Sequence, residues 1–274
     1  MSGELEITIL GSGSSGGVPR ADGDWGDCDP HEPKNQRSRC SLLVRRLGEG
    51  AEHETTVLVD TSPDLRSQTA AAGVKRLDAV LLTHDHADQT HGIDDIRAFF
   101  IRQRARIPTY MDEVTTASMM RRFGYVFDGE GGYPGIAERH ALPAHGEAWH
   151  IDGPSGAIPV VTFDQDHGGI RSVGYRFGDV AYSSDVVHLD DHAFAALHGL
   201  DVWIVDALRW RPHPTHAHVE RALEWIERVR PRRAILTNMH IDLDYNDLKR
   251  KLPKGVEPAF DGLRLKHQLR ATFP

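Results

Sequence analysis

The segment AVLLTHDHADQTHGIDD, residues 79–95, joins a run of apolar residues to a cluster of histidine and aspartate. The apolar run is typical of a buried β-strand, so His84 begins the loop at its carboxyl end, where the sites of α/β proteins gather. At alternate positions, His84, His86 and Asp88 can converge on one point, and imidazole and carboxylate suit zinc, iron or manganese. The alternative, histidines in a solvated loop, is weaker, because three ligand-type side chains at this spacing seldom gather for packing alone.

Short β-branched runs alternate with helical patterns along the rest of the chain, which predicts sheet layers faced by helices, an α/β fold. The predicted strands are Leu5–Leu10, Ser41–Arg45, Thr56–Asp60, Ala79–Thr83, Val160–Phe163, Gly174–Phe177, Val180–Ser183, Val202–Val205 and Ala234–Thr237. The predicted helices are Asp64–Ala72, Asp94–Gln103, Glu113–Phe123, Asp190–Leu197 and His216–Val229. We expect Thr215 to cap the last helix. The chain has no internal repeat and no linker, so we predict one domain over residues 1–274.

Composition and charge narrow the class of protein. The chain is 39% hydrophobic and 26% charged, as soluble globular proteins are, and no apolar run approaches the ~20 residues of a membrane helix. The only cysteines, Cys28 and Cys40, lack C-x-x-C spacing, which excludes a disulfide framework and a cysteine-rich zinc knot. A net charge of −8 argues against a broad nucleic-acid surface. The first residues predict a strand and not a signal peptide, so we expect a cytoplasmic protein without a membrane partner.

A glycine-rich stretch, GSGSSG at residues 11–16, follows the first predicted strand and matches the G-x-G-x-x-G pattern of dinucleotide-binding folds. That interpretation requires a helix to open directly after the glycines, so that its amides meet a pyrophosphate. The residues that follow, GVPRADGDWG, have no helical periodicity. We therefore predict no dinucleotide cofactor, and a tight turn that brings the backbone close to the active site.

The motif T-H-x-H-x-D at residues 83–88 resembles that of the metallo-β-lactamase superfamily. Eight further segments resemble its PhnP-like phosphodiesterase branch: Gly11–Pro19, Pro33–Asn35, His91–Arg97, Asp164–Gly168, Tyr182–Asp185, Arg211–His216, Ile235–Thr237 and Phe260–Gly262. The resemblance runs from about residue 7 to about residue 265. It implies an αββα sandwich, in which two mixed sheets lie face to face, helices cover the outside, and a metal cleft runs along one edge.

The resemblance also implies roles for the site residues. It assigns the first metal to His84, His86 and His167. Asp185 would bridge two metals, and Asp88 would serve the second. A cysteine-based structural zinc of the same branch is not supported, because a single cysteine remains near the matching segment.

In this branch the second metal takes two further histidines, and this chain has Gln89 and Asn238 at those positions. An amide oxygen is a poorer zinc ligand than imidazole and suits harder ions such as manganese, magnesium or calcium. We therefore expect one tightly bound metal, with the second position empty, filled by water or held by a hard ion. The two amides could hydrogen-bond to Asp88, or hold a water or substrate oxygen.

These assignments predict a metal-dependent hydrolase, most simply a phosphodiesterase acting on a small phosphodiester such as a cyclic phosphate or a nucleotide. Metal-bound hydroxide would attack phosphorus in line, and Asp88 would orient the nucleophile or take its proton. The resemblance implies that His216 faces the substrate and protonates the leaving oxygen, although its histidine-rich surroundings also fit a plain surface loop. Arg209 and Arg211 could bind a phosphate or be solvated. Zinc is the expected metal, and manganese or iron would also fit.

Two other functions remain open. One is a nucleotide- or phosphate-binding protein on the same fold with weakened catalysis. The other is an iron-dependent oxidoreductase, because three histidines and a carboxylate can also hold iron. The sequence does not decide between a monomer and a homodimer.

Overall fold

A computed structural model describes residues 3–51 and 53–269, and the strands of this part form two seven-stranded sheets. In spatial order the first sheet contains β14 (Leu263–Gln268), β1 (Glu4–Gly11), β2 (Ser41–Arg46), β3 (Thr55–Val59), β4 (Ala79–Leu81), β5 (Ile107–Met111) and β6 (Ala137–Ala141). The second contains β13 (Val256–Pro258), β12 (Arg233–Thr237), β11 (Val202–Asp206), β10 (Val180–Ser183), β9 (Arg171–Phe177), β8 (Ile158–Asp166) and β7 (Ala148–Ile151).

Each sheet combines parallel and antiparallel neighbours. In the first sheet β14, β1, β2 and β3 pair antiparallel, whereas β3 to β6 are parallel. In the second, β10 to β13 are parallel, whereas β7 to β10 are antiparallel. The prediction of two mixed sheets is therefore confirmed.

The helices complete the layers. They are α1 (Leu65–Ala71), α2 (Ala87–Thr90), α3 (Arg97–Gln103), α4 (Glu113–Asp128), α5 (Asp191–Ala196), α6 (Val219–Val229) and α7 (Tyr245–Lys251), with 3-10 helices at Pro33–Asn35 and Ile93–Ile96. Across residues 3–51 and 53–269, every helix is too short or too polar to span a bilayer.

The side-chain alternation of the strands explains the layering. On β2, Leu42 and Val44 join the core that also contains Val160 and Tyr175 of the facing sheet. Leu43 points to the opposite face and packs in a second cluster with residues of α1, α3 and α4. Because successive side chains of a strand point to opposite faces, each buried strand contributes to both layers. The αββα sandwich is confirmed.

Several predicted boundaries differ from the structure. The helix predicted from His216 begins at Val219 with His218 as its N-cap, so Thr215 is not the cap. The helix predicted to end at Phe123 kinks there, at φ −132° and ψ 28°, and continues to Asp128. The segment predicted as one helix over Asp94–Gln103 is a 3-10 turn followed by α3.

Polar residues follow the strands that end at one edge of the sandwich. Asp60 comes directly after β3, Asp206 ends β11, and Asn238 comes directly after β12. Because these strands run parallel to their neighbours, their carboxyl ends meet at one edge. That edge carries the histidine cluster.

Candidate metal centre

Three imidazole rings face one another at this edge. His84 lies beyond the end of β4, His86 directly before α2, and His167 directly after β8. The ring centroids are 4.6 Å apart for His84 and His86, 5.0 Å for His84 and His167, and 5.1 Å for His86 and His167. One nitrogen of each ring lies within 4.8 Å of the other two. The structure thus brings together the three histidines that the sequence analysis assigned to one metal.

The outer nitrogens of His84 and His167 are already engaged, which leaves their inner ones for a cation. His84 Nδ1 lies 3.0 Å from Thr83 Oγ1, and its Nε2 is buried without a hydrogen-bond partner. His167 Nδ1 donates to the carbonyl oxygen of Thr215 at 2.7 Å, so its Nε2 carries the lone pair. Burial lowers the pKa of His84 to about 3, with the neighbouring histidines acting in the same direction against Asp185. A neutral His84 and the converging inner nitrogens of the triad fit a divalent metal.

A buried carboxylate supports His84 from behind. Thr83 donates its backbone N–H to Asp60 Oδ1 at 2.8 Å and its hydroxyl to Asp60 Oδ2 at 3.0 Å. Asp60 is fully buried at φ +63°, and burial raises the pKa of its carboxyl well above the usual value. The chain of contacts from Asp60 through Thr83 orients the ring of His84. Our sequence analysis did not single out this pair, and the signal for it was an aspartate ending a predicted buried strand.

Asp185 connects the histidines to a second group of ligand atoms. Its Oδ1 lies 3.8 Å from His167 Nε2 and 3.9 Å from His216 Nδ1, and these three residues have ligand atoms within 4.8 Å of one another. Burial acts to raise the pKa of Asp185, but His84, His216 and His167 outweigh it and lower the pKa to about 2. The group is therefore a carboxylate that lies between the histidine triad and His216.

Asp88 lies in the same cleft but in neither group. It belongs to the first turn of α2, is partly buried, and lines the cleft together with His86 and Asp185. Among the described residues, it shares no three-ligand cluster within 4.8 Å. Burial and the charge of Asp185 raise the pKa of Asp88 to about 6. A carboxylate with such a pKa can accept a proton near neutral pH.

The two amides at the positions predicted for ligands of a second metal lie beside Asp185 and His216. Gln89 is fully buried and its Nε2 donates to Asp185 Oδ2 at 3.0 Å. Asn238, at φ +60°, accepts a hydrogen bond from Cys40 Sγ at 3.6 Å and has its Nδ2 3.2 Å from His216 Nδ1. These contacts replace the hydrogen bonds that we considered between the amides and Asp88.

His216 lies opposite the histidine triad, paired with a buried aspartate. Its Nδ1 donates to Asp206 Oδ2 at 2.9 Å, and its ring centroid is 4.7 Å from that of His167. Asp206 is fully buried, and the same oxygen accepts the backbone N–H of Val186 at 3.0 Å. Burial acts to lower the pKa of His216, but the charge and hydrogen bond of Asp206 outweigh it and raise the pKa to about 9. Asp206, an aspartate at the end of an apolar strand, was not among our predicted site residues.

The cleft between these groups has a volume of about 310 Å³. Ser14 and Ser15 of the glycine-rich turn form part of its wall, as expected for a turn that approaches the active site. Gly11 allows this approach, because a Cβ there would lie 1.9 Å from the carbonyl oxygen of Arg39. Of the two arginines considered for phosphate binding, Arg209 lines the cleft and donates to the carbonyl oxygen of Arg211 at 3.2 Å.

Comparison with known proteins supports the same assignment. Residues 55–241 match the family described as beta-lactamase superfamily domain. The structure matches the crystal structure of a new diphosphatase from the PhnP family with a TM-score of 0.85 and 33% identity, over 98% of this chain and 99% of that chain. Coenzyme PQQ synthesis protein B of Cupriavidus necator is 26% identical over 312 residues, covering 94% of this chain and 98% of that protein.

An octanoyltransferase of Porphyromonas gingivalis is 29% identical over 262 residues, which cover 94% of this chain but 51% of the relative. The chain therefore spans about half the length of that relative. The superfamily match and the nearly complete overlap with the PhnP-family structure agree with the histidine site and the αββα sandwich. The protein thus belongs to the beta-lactamase superfamily, in its PhnP-like branch, with the fold of a metal-dependent hydrolase.

Proposed function

We propose that the protein is a metal-dependent phosphodiesterase that hydrolyses a small phosphodiester. The observation that carries the proposal is the placement of His216, hydrogen-bonded to Asp206, across one cleft from three histidines whose free nitrogens converge. The same cleft holds Asp88, a carboxyl group able to take a proton. A metal site, a proton acceptor and a proton donor are the groups that hydrolysis of a phosphate ester requires.

The nitrogen-rich set of His84, His86 and His167, with Asp185 beside it, favours zinc, and manganese or iron would also be accepted. When bound, the metal lowers the pKa of a coordinated water and stabilises negative charge on a substrate oxygen. The hydrogen bond from Gln89 occupies the second oxygen of Asp185, which a second metal would otherwise use. This contact supports one tightly bound metal per chain.

The residues of the chain supply the proton transfers. Asp88 accepts the proton of the attacking water, because its raised pKa places the carboxyl near neutrality. His216 donates a proton to the leaving oxygen, and Asp206 keeps that ring protonated and fixes its orientation. Asp206 is fully buried, so the histidine is the member of the pair that a substrate meets.

The substrate that we propose is small, such as a cyclic phosphate or a nucleotide diester. The cleft of about 310 Å³ accommodates a phosphate ester with a small substituent, and a net charge of −8 disfavours a long polyanion. The PhnP-family protein whose structure this chain resembles is a diphosphatase, an enzyme that also acts on phosphoryl groups. We propose further that the protein works in the cytoplasm without a membrane partner.

The replacement of two expected metal ligands by Gln89 and Asn238 favours one alternative, a phosphate-binding protein with weakened catalysis. Hydrolysis of bis(p-nitrophenyl) phosphate, measured separately with zinc, manganese and iron, distinguishes the two functions. The phosphodiesterase requires activity in the wild type that is lost in His84→Ala and retained in His198→Ala, a matched exposed histidine. An inert wild type with an active Gln89→His/Asn238→His double variant would establish the binding protein. Activity that survives His84→Ala would overturn the metal centre.

A further inference from the structure

We infer that Arg20 and Arg39 form an anion subsite beside the metal cleft, which binds the second phosphoryl group of a diphosphate substrate. The inference rests on the proposed phosphodiesterase function and narrows its substrate class. The subsite is a groove of about 650 Å³ lined by both arginines and by Gly16 of the glycine-rich turn. Ser15 and Asp88 line both this groove and the cleft, so one substrate can extend from one into the other.

Arg20 is fixed by a contact with His240, a residue of the neighbouring metal cleft. Its Nη2 forms a short contact with His240 Nε2, and His240 also lines the cleft. A guanidinium has donors only, so His240 Nε2 is the acceptor in this contact, and His240 Nδ1 lies 3.1 Å from Asp242 Oδ1. The side chain of Arg20 runs along the glycine turn, since a Cβ on Gly16 would lie 3.6 Å from its Cγ.

Arg39 is anchored on the other side of the groove. Its Nε lies 3.0 Å from Asp64 Oδ2, and its backbone N–H donates to the same oxygen at 2.9 Å. Both arginine side chains keep part of their surface in solvent, 41% for Arg20 and 29% for Arg39. A guanidinium carries five N–H donors, so these anchors leave donors for a phosphate.

The acidic residues of the groove select the kind of anion. Asp22 and Asp88 line it as well, and Asp24 lies 3.8 Å from Arg20 Nη1. These carboxylates offset the attraction for a free anion in solution. A phosphoryl group attached to one already held in the cleft gains effective concentration and still meets two guanidinium groups. The groove therefore favours a substrate with two linked phosphoryl groups over one with a single phosphate.

A positive subsite also suits the altered metal site. Gln89 and Asn238 stand where two nitrogen ligands of a second metal are expected. Without that metal, the site lacks the positive charge that would bind a second phosphate oxygen. Arg20, oriented by His240, supplies a positive charge on the side of the cleft where Asp88 lies.

The test compares diadenosine diphosphate with bis(p-nitrophenyl) phosphate, a single phosphodiester, as substrates of the metal-loaded protein. We expect Arg20→Gln to raise KM for the diphosphate about tenfold or more and to change KM for the single diester less than twofold. The KM of Arg20→Lys for the diphosphate should lie between those of wild type and Arg20→Gln, because an ammonium cannot bind bidentately. Arg250→Gln, an exposed arginine on α7, is the matched control.

Calorimetric titration with inorganic pyrophosphate adds a readout that is independent of turnover. Arg20→Gln should weaken pyrophosphate binding about tenfold relative to wild type. Equal pyrophosphate affinities of wild type and Arg20→Gln would overturn the subsite while leaving the proposed phosphodiesterase function intact. Equal effects of Arg20→Gln on KM for the two substrates would do the same. A wild type that hydrolyses neither substrate but binds pyrophosphate in an Arg20-dependent manner would support the subsite and refute the phosphodiesterase.

Discussion

Gln89, where the family resemblance implies a histidine for a second metal, donates a hydrogen bond from Nε2 to Asp185 Oδ2 at 3.0 Å. The amide occupies one oxygen of the carboxylate, while the other faces His167 and His216. Asn238 adds a second amide next to His216. The two replacements thus form one connected set around Asp185.

We predict that the purified wild type holds one tightly bound zinc per chain and that Gln89→His/Asn238→His holds two. Imidazole nitrogen is a much stronger zinc ligand than an amide, and the double variant removes the Gln89 amide from Asp185 Oδ2, which keeps the Ser184 hydroxyl as a partner. Elemental analysis after dialysis measures the ratio, with Gln89→Ala/Asn238→Ala as the control that should stay near one. Two tightly held zinc ions in the wild type would contradict the prediction.

The support of His84 by Thr83 and Asp60 makes a second prediction. Thr83→Val removes the hydroxyl between the ring and the carboxylate and should weaken metal binding about 10- to 100-fold. Thr83→Ser keeps the hydroxyl and should bind like wild type. Competition with a chromogenic chelator gives both affinities, and equal values for Val and Ser would show that the hydroxyl is not needed.

The role of His216 as proton donor predicts a dependence on the leaving group. His216→Gln should lower kcat about 10²- to 10⁴-fold for a methyl ester of a nucleotide, whose leaving oxygen needs a proton. The loss should be much smaller for the p-nitrophenyl ester, whose leaving group is stable as an anion. His198→Gln serves as the control, and equal losses for the two esters would assign His216 a different role.

The hydrogen bonds of Asp244 predict that the free energy of unfolding depends on pH. It caps α7 by accepting the N–H of Asp247 at 2.9 Å, and it accepts Asn35 Nδ2 at 2.6 Å. Burial acts to raise the pKa of Asp244, but the hydrogen bonds from Asp247 and Asn35 outweigh it and lower the pKa below 3.8. A lowered pKa in the folded state gives stability that is present above 3.8 and is lost as the pH falls through the folded value.

We therefore expect Asp244→Ala to lower the free energy of unfolding by about 1 kcal/mol at pH 7, as loss of a helix cap does. The difference from wild type should shrink below about pH 4, where the carboxyl becomes protonated. Urea unfolding between pH 3 and 7 measures it, and Asp27→Ala, at an exposed aspartate of the neighbouring loop, is the control. A difference that does not vary with pH would contradict the assigned hydrogen bonds.

The histidine spacing and the apolar strand before it were enough to predict a metal site that contains His84 and His86, because both depend on local patterns. The αββα sandwich and the third histidine, His167, were predicted only through the resemblance to a family. Four of the five strands that we did not predict, β6, β7, β13 and β14, are the edges of the two sheets. Edge strands are half-solvated and carry few apolar residues, so their pairing is decided by tertiary contacts. The fifth, β5, contains Pro108, a residue that weakens a strand signal.

In the site, too, local patterns could be predicted and tertiary contacts could not. Asp60 and Asp206 end strands that were predicted nearly correctly, but their contacts depend on local tertiary geometry: Asp60 meets Thr83 at the end of the neighbouring strand, and Asp206 meets His216 in the loop that follows its own strand. The hydrogen bonds of Gln89 with Asp185 and of Cys40 with Asn238 depend on how the two sheets face each other. A pattern along the chain identifies ligand types, whereas the partners that orient them come from distant segments.

His84 and His86 follow a strand of one sheet, and His167 and Asp185 follow strands of the other. A cation held by all four would fasten the two layers together along their open edge, so binding the ion and docking the layers become one equilibrium. At a free metal concentration of 100 times Kd, that linkage contributes about 2.7 kcal/mol to the folded state. A shortage of that metal would therefore lower both the proposed activity and the lifetime of the folded protein against unfolding and proteolysis.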